Sequence, residues 1–368
     1  MIIGFEVSGY ASIKDKISLN FAAEQRQKLV GTRYESNYFY PQRIAKSIAL
    51  FGANATGKTN ILKSLNQILN IISKGLDIKK ESFFINSSVG NTHYLITIQG
   101  FKKDQYQYEL KFDKDKILFE ALRKNDILLY EFYNNIASFY LDNDYEKILS
   151  VESQNTILNK VKDNKIPEIS DFHNALDYYS YSDSMNWLDA IADYDKVLPF
   201  AAKTKERFEK NKNIILDILS MVDKSITDFS FIDIKDNRYS LIVKRDDVEF
   251  AFERESTGVK KIIELMDNIV HSLLYGGVLI IDELDSSIST ISLIKILNGV
   301  INSSENKKAQ FVISSHNPLI FDTDMLAPAQ IYIVGKHELN TTLNALSTYD
   351  LRNDKRKVYL NYLRGDYE

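Results

Sequence analysis

The chain has no cysteine among its 368 residues. That excludes disulfides and thiolate metal sites, and it suits a reducing compartment. No stretch approaches the ~20 consecutive apolar residues of a membrane span. The start, Met1-Ile2-Ile3-Gly4-Phe5-Glu6-Val7, alternates like a strand, where a secretory leader would have a charged start and a long apolar run. The expected location is cytoplasmic, with no membrane contact of the chain's own. A basic excess is also missing: the net charge is -4 and the pI is near 5.9. Any nucleic-acid contact must therefore come from a local patch or a partner. The five histidines show no metal-motif spacing, and no internal repeat or low-complexity tract is visible. What is present is an ordinary globular composition, 44% hydrophobic, with length for about two domains.

Against that background one segment carries chemistry. Gly52-Ala53-Asn54-Ala55-Thr56-Gly57-Lys58-Thr59, followed by Asn60, is a complete G-x-x-x-x-G-K-[ST] phosphate loop. It follows the apolar run Ser47-Ile48-Ala49-Leu50-Phe51, and Leu62, Leu65, Leu69 and Ile72 then recur at helical spacing. Strand, loop and helix stand in the order a nucleotide site needs, with the positive helix end aimed at the phosphates. Glycines let successive N–H groups turn inward onto phosphate oxygens; Lys58 reaches the β/γ-phosphates and Thr59 offers its hydroxyl to Mg²⁺.

A phosphate loop needs a metal-binding carboxylate. Val278-Leu279-Ile280-Ile281-Asp282-Glu283 supplies one at the end of a buried strand, as a Walker B segment does. Asp282 would hold Mg²⁺ together with Thr59, and Glu283 would take the proton of an attacking water. Asp285 and Ser286, which follow, also suit a helix N-cap. Two further pieces come from helix and strand ends. Ser256, Thr257 and Gly258 open a long apolar-striped helix and form a second phosphate-binding surface that one chain cannot readily bring to its own loop. His316, in Ser315-His316-Asn317-Pro318, follows the strand from 310 to 313 and could donate to a γ-phosphate. Taken singly, the first is also an ordinary cap and the second a turn residue.

Periodicity divides the chain into three parts. Residues 1–122 hold the first half of the ATPase core with the phosphate loop, and include a meander of alternating runs at 93–99, 105–112 and 117–122. Residues 123–226 are rich in Asn, Asp, Lys and Tyr, and their clearest helix is 205–222; a mainly helical insertion is expected there. Residues 227–368 hold the second half, with strands around the Asp236-Asn237 turn, the helix from about 258 to 274, the Asp282 strand, a helix over 288–300 and the strand 310–313. Continuous apolar strands separated by a helix predict a central parallel sheet.

With these motifs in hand, the chain resembles the ATP-binding-cassette type of ATPase, specifically its soluble RecF, SMC-head and OLD-like AAA branch. Within that branch it looks most like the RloA-like abortive-infection ATPases of phage defence. The resemblance rests on Ser12-Ile13-Lys14-Asp15, the phosphate loop, Tyr106-x-Tyr108 followed by Glu120-Ala121-Leu122, Glu255-Ser256-Thr257-Gly258, Ile281 to Ser287, and Tyr362-Leu363-Arg364-Gly365. It implies an α/β ABC-type P-loop ATPase head, with a mixed central sheet, an antiparallel β meander and the helical insertion. ATP and Mg²⁺ are the implied cofactors, Glu283 the base and His316 the switch residue. Ser256, Thr257 and Gly258 would cap the γ-phosphate bound to the opposite subunit of a homodimer, an ATP sandwich. A companion nuclease or toxin, RloB-like or of Toprim type, would be the effector, because the chain carries no Arg-x-x-x-x-His nuclease motif and leaves no room for a Toprim domain.

Some positions depart from the pattern. Ala11 stands where an arginine is usual, Val259 replaces the signature's closing glutamine, no Q-loop glutamine is assignable, and Lys58 lies much farther from Asp282 than in a transporter cassette. The alternative function is a DNA-repair or chromosome-maintenance ATPase of RecF or SMC type, for which the Lys-rich stretches at 203–212 and 355–357 are candidate DNA contacts.

Overall fold

The computed structural model describes residues 1–23, 29–140, 149–150, 155–161, 166–176, 178–182, 199–322, 325–349 and 358–365. The chain begins with β1 (Ile2–Ser8), β2 (Ile17–Asn20), a short pair β3 (Tyr38–Phe39) and β4 (Ile44–Ala45), β5 (Ser47–Phe51) and helix α1 (Lys58–Lys74). Next come α2 (Ile78–Glu81), β6 (Asn91–Gln99), β7 (Gln105–Asp113), β8 (Ile117–Lys124), β9 (Ile127–Tyr133), β10 (Ile136–Phe139) and β11 (Leu149–Ser150). They are followed by α3 (Ile157–Val161), α4 (Pro167–Asn174), β12 (Tyr179–Ser182), β13 (Phe200–Ala201), α5 (Ala202–Lys210) and α6 (Lys212–Val222). The last third holds β14 (Asp228–Lys235), β15 (Arg238–Arg245), β16 (Val248–Ala251), α7 (Thr257–Tyr275), β17 (Gly277–Ile281), α8 (Thr290–Ile296), β18 (Ala309–Ser315), β19 (Ile331–His337), β20 (Asn340–Ala345) and α9 (Val358–Arg364).

Among the described residues these strands form two large sheets, a four-stranded sheet of β13 to β16 and the β3–β4 pair. The central sheet has the order β12-β17-β18-β5-β19-β20, parallel throughout except for β20. An antiparallel sheet, β11-β10-β9-β8-β7-β6-β1-β2, carries the expected meander. Burial on both faces explains the unbroken apolar runs of the central strands. Ile48 and Leu50 of β5 enter one hydrophobic core, shared with α1 and the antiparallel sheet. Ala49 and Phe51 enter the other, shared with α6, α7 and α8. Helix α1 is held between the sheets by Ile61, Leu62, Leu65, Ile68 and Ile72, each worth about 1.5 to 3 kcal/mol when fully buried.

The segment 123–226 differs from the helical insertion expected of it. Residues 127–139 continue the antiparallel sheet as β9 and β10, because Leu129, Tyr130 and Phe132 bury against the same core as β8. β12 enters the central sheet beside β17, with Tyr179 opposite Val278. Helical character is found in α3, α4, α5 and α6. The single helix predicted over 205–222 is two, parted at Asn211, whose φ of -114° and ψ of 28° leave the helical region and whose amide donates back to the Arg207 carbonyl. Phe208, Ile215 and Leu219 are buried as the periodicity required.

Glu120 of β8 is bound to Tyr108, another of the residues on which the resemblance rests. Its fully buried carboxylate accepts from the Tyr108 hydroxyl at 3.1 Å, the Tyr130 hydroxyl at 2.9 Å and the backbone N–H groups of Ile157 and Leu158 at 2.7 and 2.9 Å. It thereby fastens the start of α3 to the antiparallel sheet. Burial pushes its pKa up, while the four donors pull the other way. Glu120→Ala leaves all four donors without an acceptor and should cost about 3 to 5 kcal/mol, whereas Glu120→Gln keeps one oxygen and should cost less. Urea unfolding midpoints of the two variants check the order; a more stable Glu120→Ala would show that desolvation of the charge outweighs the hydrogen bonds.

Candidate functional site

The phosphate loop leaves β5 at the open, carboxyl end of the parallel strands, where ligands of such sheets bind. Gly57 caps α1 with φ at 112°, a conformation that suits only glycine, and a Cβ there would lie 2.1 Å from the Thr341 hydroxyl. The loop is therefore wedged against β20. Lys58 is buried, and its ammonium donates to the Gly52 and Ala53 carbonyls at 2.7 and 3.0 Å, so it lies folded onto its own loop. Burial lowers its pKa, opposed by the nearby carboxylates of Asp282, Glu283 and Asp285.

The second half of the site comes from β17 and β18. The Thr59 hydroxyl donates to Asp282 Oδ2 at 2.7 Å, joining the two motifs across 223 positions of sequence. The Ser314 hydroxyl of β18 donates to Asp282 Oδ1 at 2.5 Å and accepts from the Glu283 N–H at 2.7 Å. Glu283 itself has φ at 51°, a left-handed turn that brings its side chain out of the strand. His316 Nε2 lies 3.8 Å from Glu283 Oε1, and the His316 backbone N–H donates to Asp285 Oδ2 at 3.0 Å.

A cleft of about 340 Å³ is lined by Asn54, Ala55, Gly57, Lys58, Thr59, Asn60, Asp282, Glu283 and His316, together with Ser12 and Lys336. The structure thus brings the loop, the strand-end carboxylates and the histidine into one place. An adjoining hydroxyl and carboxylate are the hard oxygen donors Mg²⁺ takes, and a lysine beside a left-handed loop suits polyphosphate, so the donor set fits Mg²⁺ and a nucleotide triphosphate.

The remaining predicted residues lie elsewhere. Ser256 caps α7, its hydroxyl accepting from the Val259 N–H at 3.4 Å, and Ser256 and Thr257 are exposed. They are not among the residues lining the cleft. Glu255, just before them, is buried in a two-pronged ion pair with Arg245 at 2.5 and 2.7 Å, so this part of the motif sets the entry of α7.

Sequence reasoning missed several neighbours. Ser12 accepts from the Asn60 amide and contacts the Thr341 hydroxyl, both at 2.7 Å, and Lys336 donates to the Ala55 carbonyl at 3.3 Å. Ser12 was visible only as part of the opening motif. Lys261, one turn into α7, is buried, and burial brings its pKa down to about 8 against the pull of Asp285, Glu283 and Asp282. Nothing in its spacing marked it. The Lys355 to Lys357 stretch lies outside the described residues.

A family model described as "AAA domain, putative AbiEii toxin, Type IV TA system" matches residues 47–322, a span that holds the phosphate loop, Ser256 to Gly258, Asp282, Glu283 and His316. No curated protein matches the chain. Among solved structures, an SmcHead bound to the C-winged helix domain of ScpA aligns with a TM-score of 0.54 at 13% identity, over 93% of this chain and 96% of that one. An SMC head domain from Thermotoga maritima aligns at 0.46 and 12%, over 94% and 98% of the two chains. An Smc head domain with an extended coiled coil, bound to the C-terminal domain of ScpA and derived from Pyrococcus furiosus, aligns at 0.48 and 11%, over 100% and 99%. The fold is that of an α/β P-loop ATPase head.

Gly258, unlike its two exposed predecessors, is buried, and a Cβ there would come within 2.6 Å of the Ser287 carbonyl oxygen. Gly258→Ala must displace that backbone and should lose about 1 to 3 kcal/mol of stability, as overpacking does. Thr257→Ala, at an exposed neighbour, should change it by less than about 0.5 kcal/mol. Equal unfolding midpoints for the two would show that the loop yields freely.

Proposed function

The chain belongs to this AbiEii-type AAA-domain family, and from that premise we propose that it is a Mg²⁺-dependent ATPase acting as a molecular switch. The supporting observation is the direct bond between Thr59 and Asp282 inside a cleft that also holds Lys58, Glu283 and His316. Bound MgATP would supply a cleavable phosphoanhydride and a charge that the chain's own groups are arranged to meet. Lys58 would exchange its loop carbonyls for phosphate oxygens, and Thr59 and Asp282 would hold the Mg²⁺. Glu283 orients a water and accepts its proton. His316, held by Asp285 beside Glu283, donates to the terminal phosphate. Asn54, Ala55, Thr56, Gly57 and Asn60 contribute the amides and polar side chains of the cradle, closed behind by Gly52.

Ser256, Thr257 and Gly258 act in a second copy. Their separation from the cleft of the same chain supports a homodimer closed over two nucleotides, in which hydroxyls, the glycine amide and the start of α7 meet the terminal phosphate held by the other head. A ligand shifts a two-state equilibrium only by its differential affinity for the states, and a nucleotide bridging two heads supplies such a difference. The product of the cycle is then a head separation that a companion effector reads. The family description places such domains with toxin systems, which supports a companion nuclease or toxin and a role in antiphage defence, with the region 123–226 as the surface that partner reads.

Lys58→Ala should abolish nucleotide binding by the purified protein. Glu283→Gln should keep binding while turnover falls by roughly 10² to 10⁴, the range for a lost general base. Wild-type turnover in Glu283→Gln would remove that residue from the mechanism. In sedimentation, Glu283→Gln with MgATP should run as a dimer, and adding Ser256→Arg should return it to monomer by clash and lost amide contacts; one mass for both variants with and without ATP would sink the shared site. In cells, protection from phage should need both the neighbouring effector gene and Lys58. Restored repair of damaged DNA by this chain alone would favour the RecF-like reading.

A further inference from the structure

The first turn of α7, where Ser256 and Thr257 are exposed and Gly258 is buried, is joined to the Glu283 loop of the same chain by contacts that the nucleotide site does not require. Gly258 and Lys261, three residues apart on α7, share one face of the helix. Gly258 packs against the Ser287 carbonyl so closely that a Cβ would sit 2.6 Å from it. Lys261 is 3% exposed. Its ammonium donates to the Glu283 carbonyl, to the Ser286 carbonyl at 3.1 Å and to the Ser286 hydroxyl at 2.5 Å. Glu283 and Ser287 are both in the left-handed region, with φ of 51° and 65°, so the 283–287 turn has a strained shape that outside contacts must hold. A buried ammonium reaching three oxygens of that turn is a strong tether, because any one of them released in a buried site loses its partner.

We propose that Lys261 is a positioning residue that couples the two nucleotide sites of the dimer, an inference that rests on the switch reading above. The terminal phosphate held by one head touches Ser256, Thr257 and Gly258 of the other; α7 carries that contact through Gly258 and Lys261 to the second head's own 283–287 turn and sets the direction of its Glu283. Each head therefore hydrolyses well only when its signature surface is engaged by the other. Coupling of this kind must be reciprocal, and it needs no element beyond the first turn of one helix.

Lys261→Met keeps the buried aliphatic stem and removes the three donors; Ser286→Ala removes only one acceptor and is the milder variant should the first fold poorly. ATP affinity measured in the presence of Ser256→Arg, which holds the heads apart, should change less than about threefold on adding Lys261→Met. Steady-state turnover should fall by roughly 10- to 100-fold in Lys261→Met and by less in Ser286→Ala, with the wild type's dependence on ATP and on enzyme concentration losing its cooperativity in both. The deciding measurement is the cycle with Ser256→Ala. If the signature acts through Lys261, the pair should lose no more turnover than the worse single variant. Losses that multiply, or cooperativity unchanged in both Lys261→Met and Ser286→Ala, overturn the coupling while leaving the ATPase intact. A wild type that shows no ATP-dependent dimer removes the switch reading first, and with it this inference.

Discussion

The carboxylate of Asp282 organises the open end of the central sheet. One oxygen takes the Thr59 hydroxyl from the helix after β5, and the other takes the Ser314 hydroxyl from β18, the strand between β17 and β5. Ser314 passes the constraint on, since the same hydroxyl accepts from the Glu283 N–H and so fixes where the chain turns out of β17. Three consecutive strands of the sheet are thereby locked in register at the point where phosphates would lie. The arrangement follows from burial: Asp282 is 3% exposed, and a carboxylate that far from water is tolerated only when hydrogen bonds or a cation satisfy it. In the structure hydroxyls do this. They are the groups a metal ion would meet or replace.

Much of this was legible in residue order. A phosphate loop, its helix and a strand ending in Asp282-Glu283 are local patterns, and each needs only a few neighbouring residues to be recognised; all three elements stand where their periodicity put them. What spacing could not show were contacts made by single side chains from distant strands. Ser314 reaches Asp282, and Thr341 and Lys336 reach the phosphate loop, because β18, β19 and β20 are laid beside β5 and β17, and no local pattern encodes a neighbour so far along the chain. The segment 123–226 was misread for a related reason. Its polar, Tyr-rich composition reads as an insertion, yet Tyr130 and Phe132 of β9 face the same core as β8, and β12 covers the open edge of β17, so tertiary packing overrode composition.

Two acidic residues of the expected motifs are architectural. Glu120 accepts from two tyrosines and two backbone N–H groups far from the cleft, and Glu255 is locked to Arg245 at the entry of α7. Arg245 in turn pairs with Asp223 at 2.9 Å, so the small β14–β16 sheet and the end of α6 are fastened to the start of the signature helix. A charge buried in such a network contributes mainly by being costly to disturb. It holds α7 at one angle, which the proposed contact with a phosphate on a second copy would require.

The geometry of α7 therefore has two masters. Its N-terminal end leaves Ser256 and Thr257 exposed. The inward face of that same turn is committed, through Gly258 and Lys261, to the loop that carries Glu283. A helix gripped at its first turn moves as a rigid body rather than by fraying, because its remaining length is buried along Ile262, Ile263, Met266, Ile269 and Val270. Small displacements imposed at the exposed end must then be felt at the carboxylate, so in the proposed dimer closure of two heads on nucleotide would set catalysis as well as join subunits.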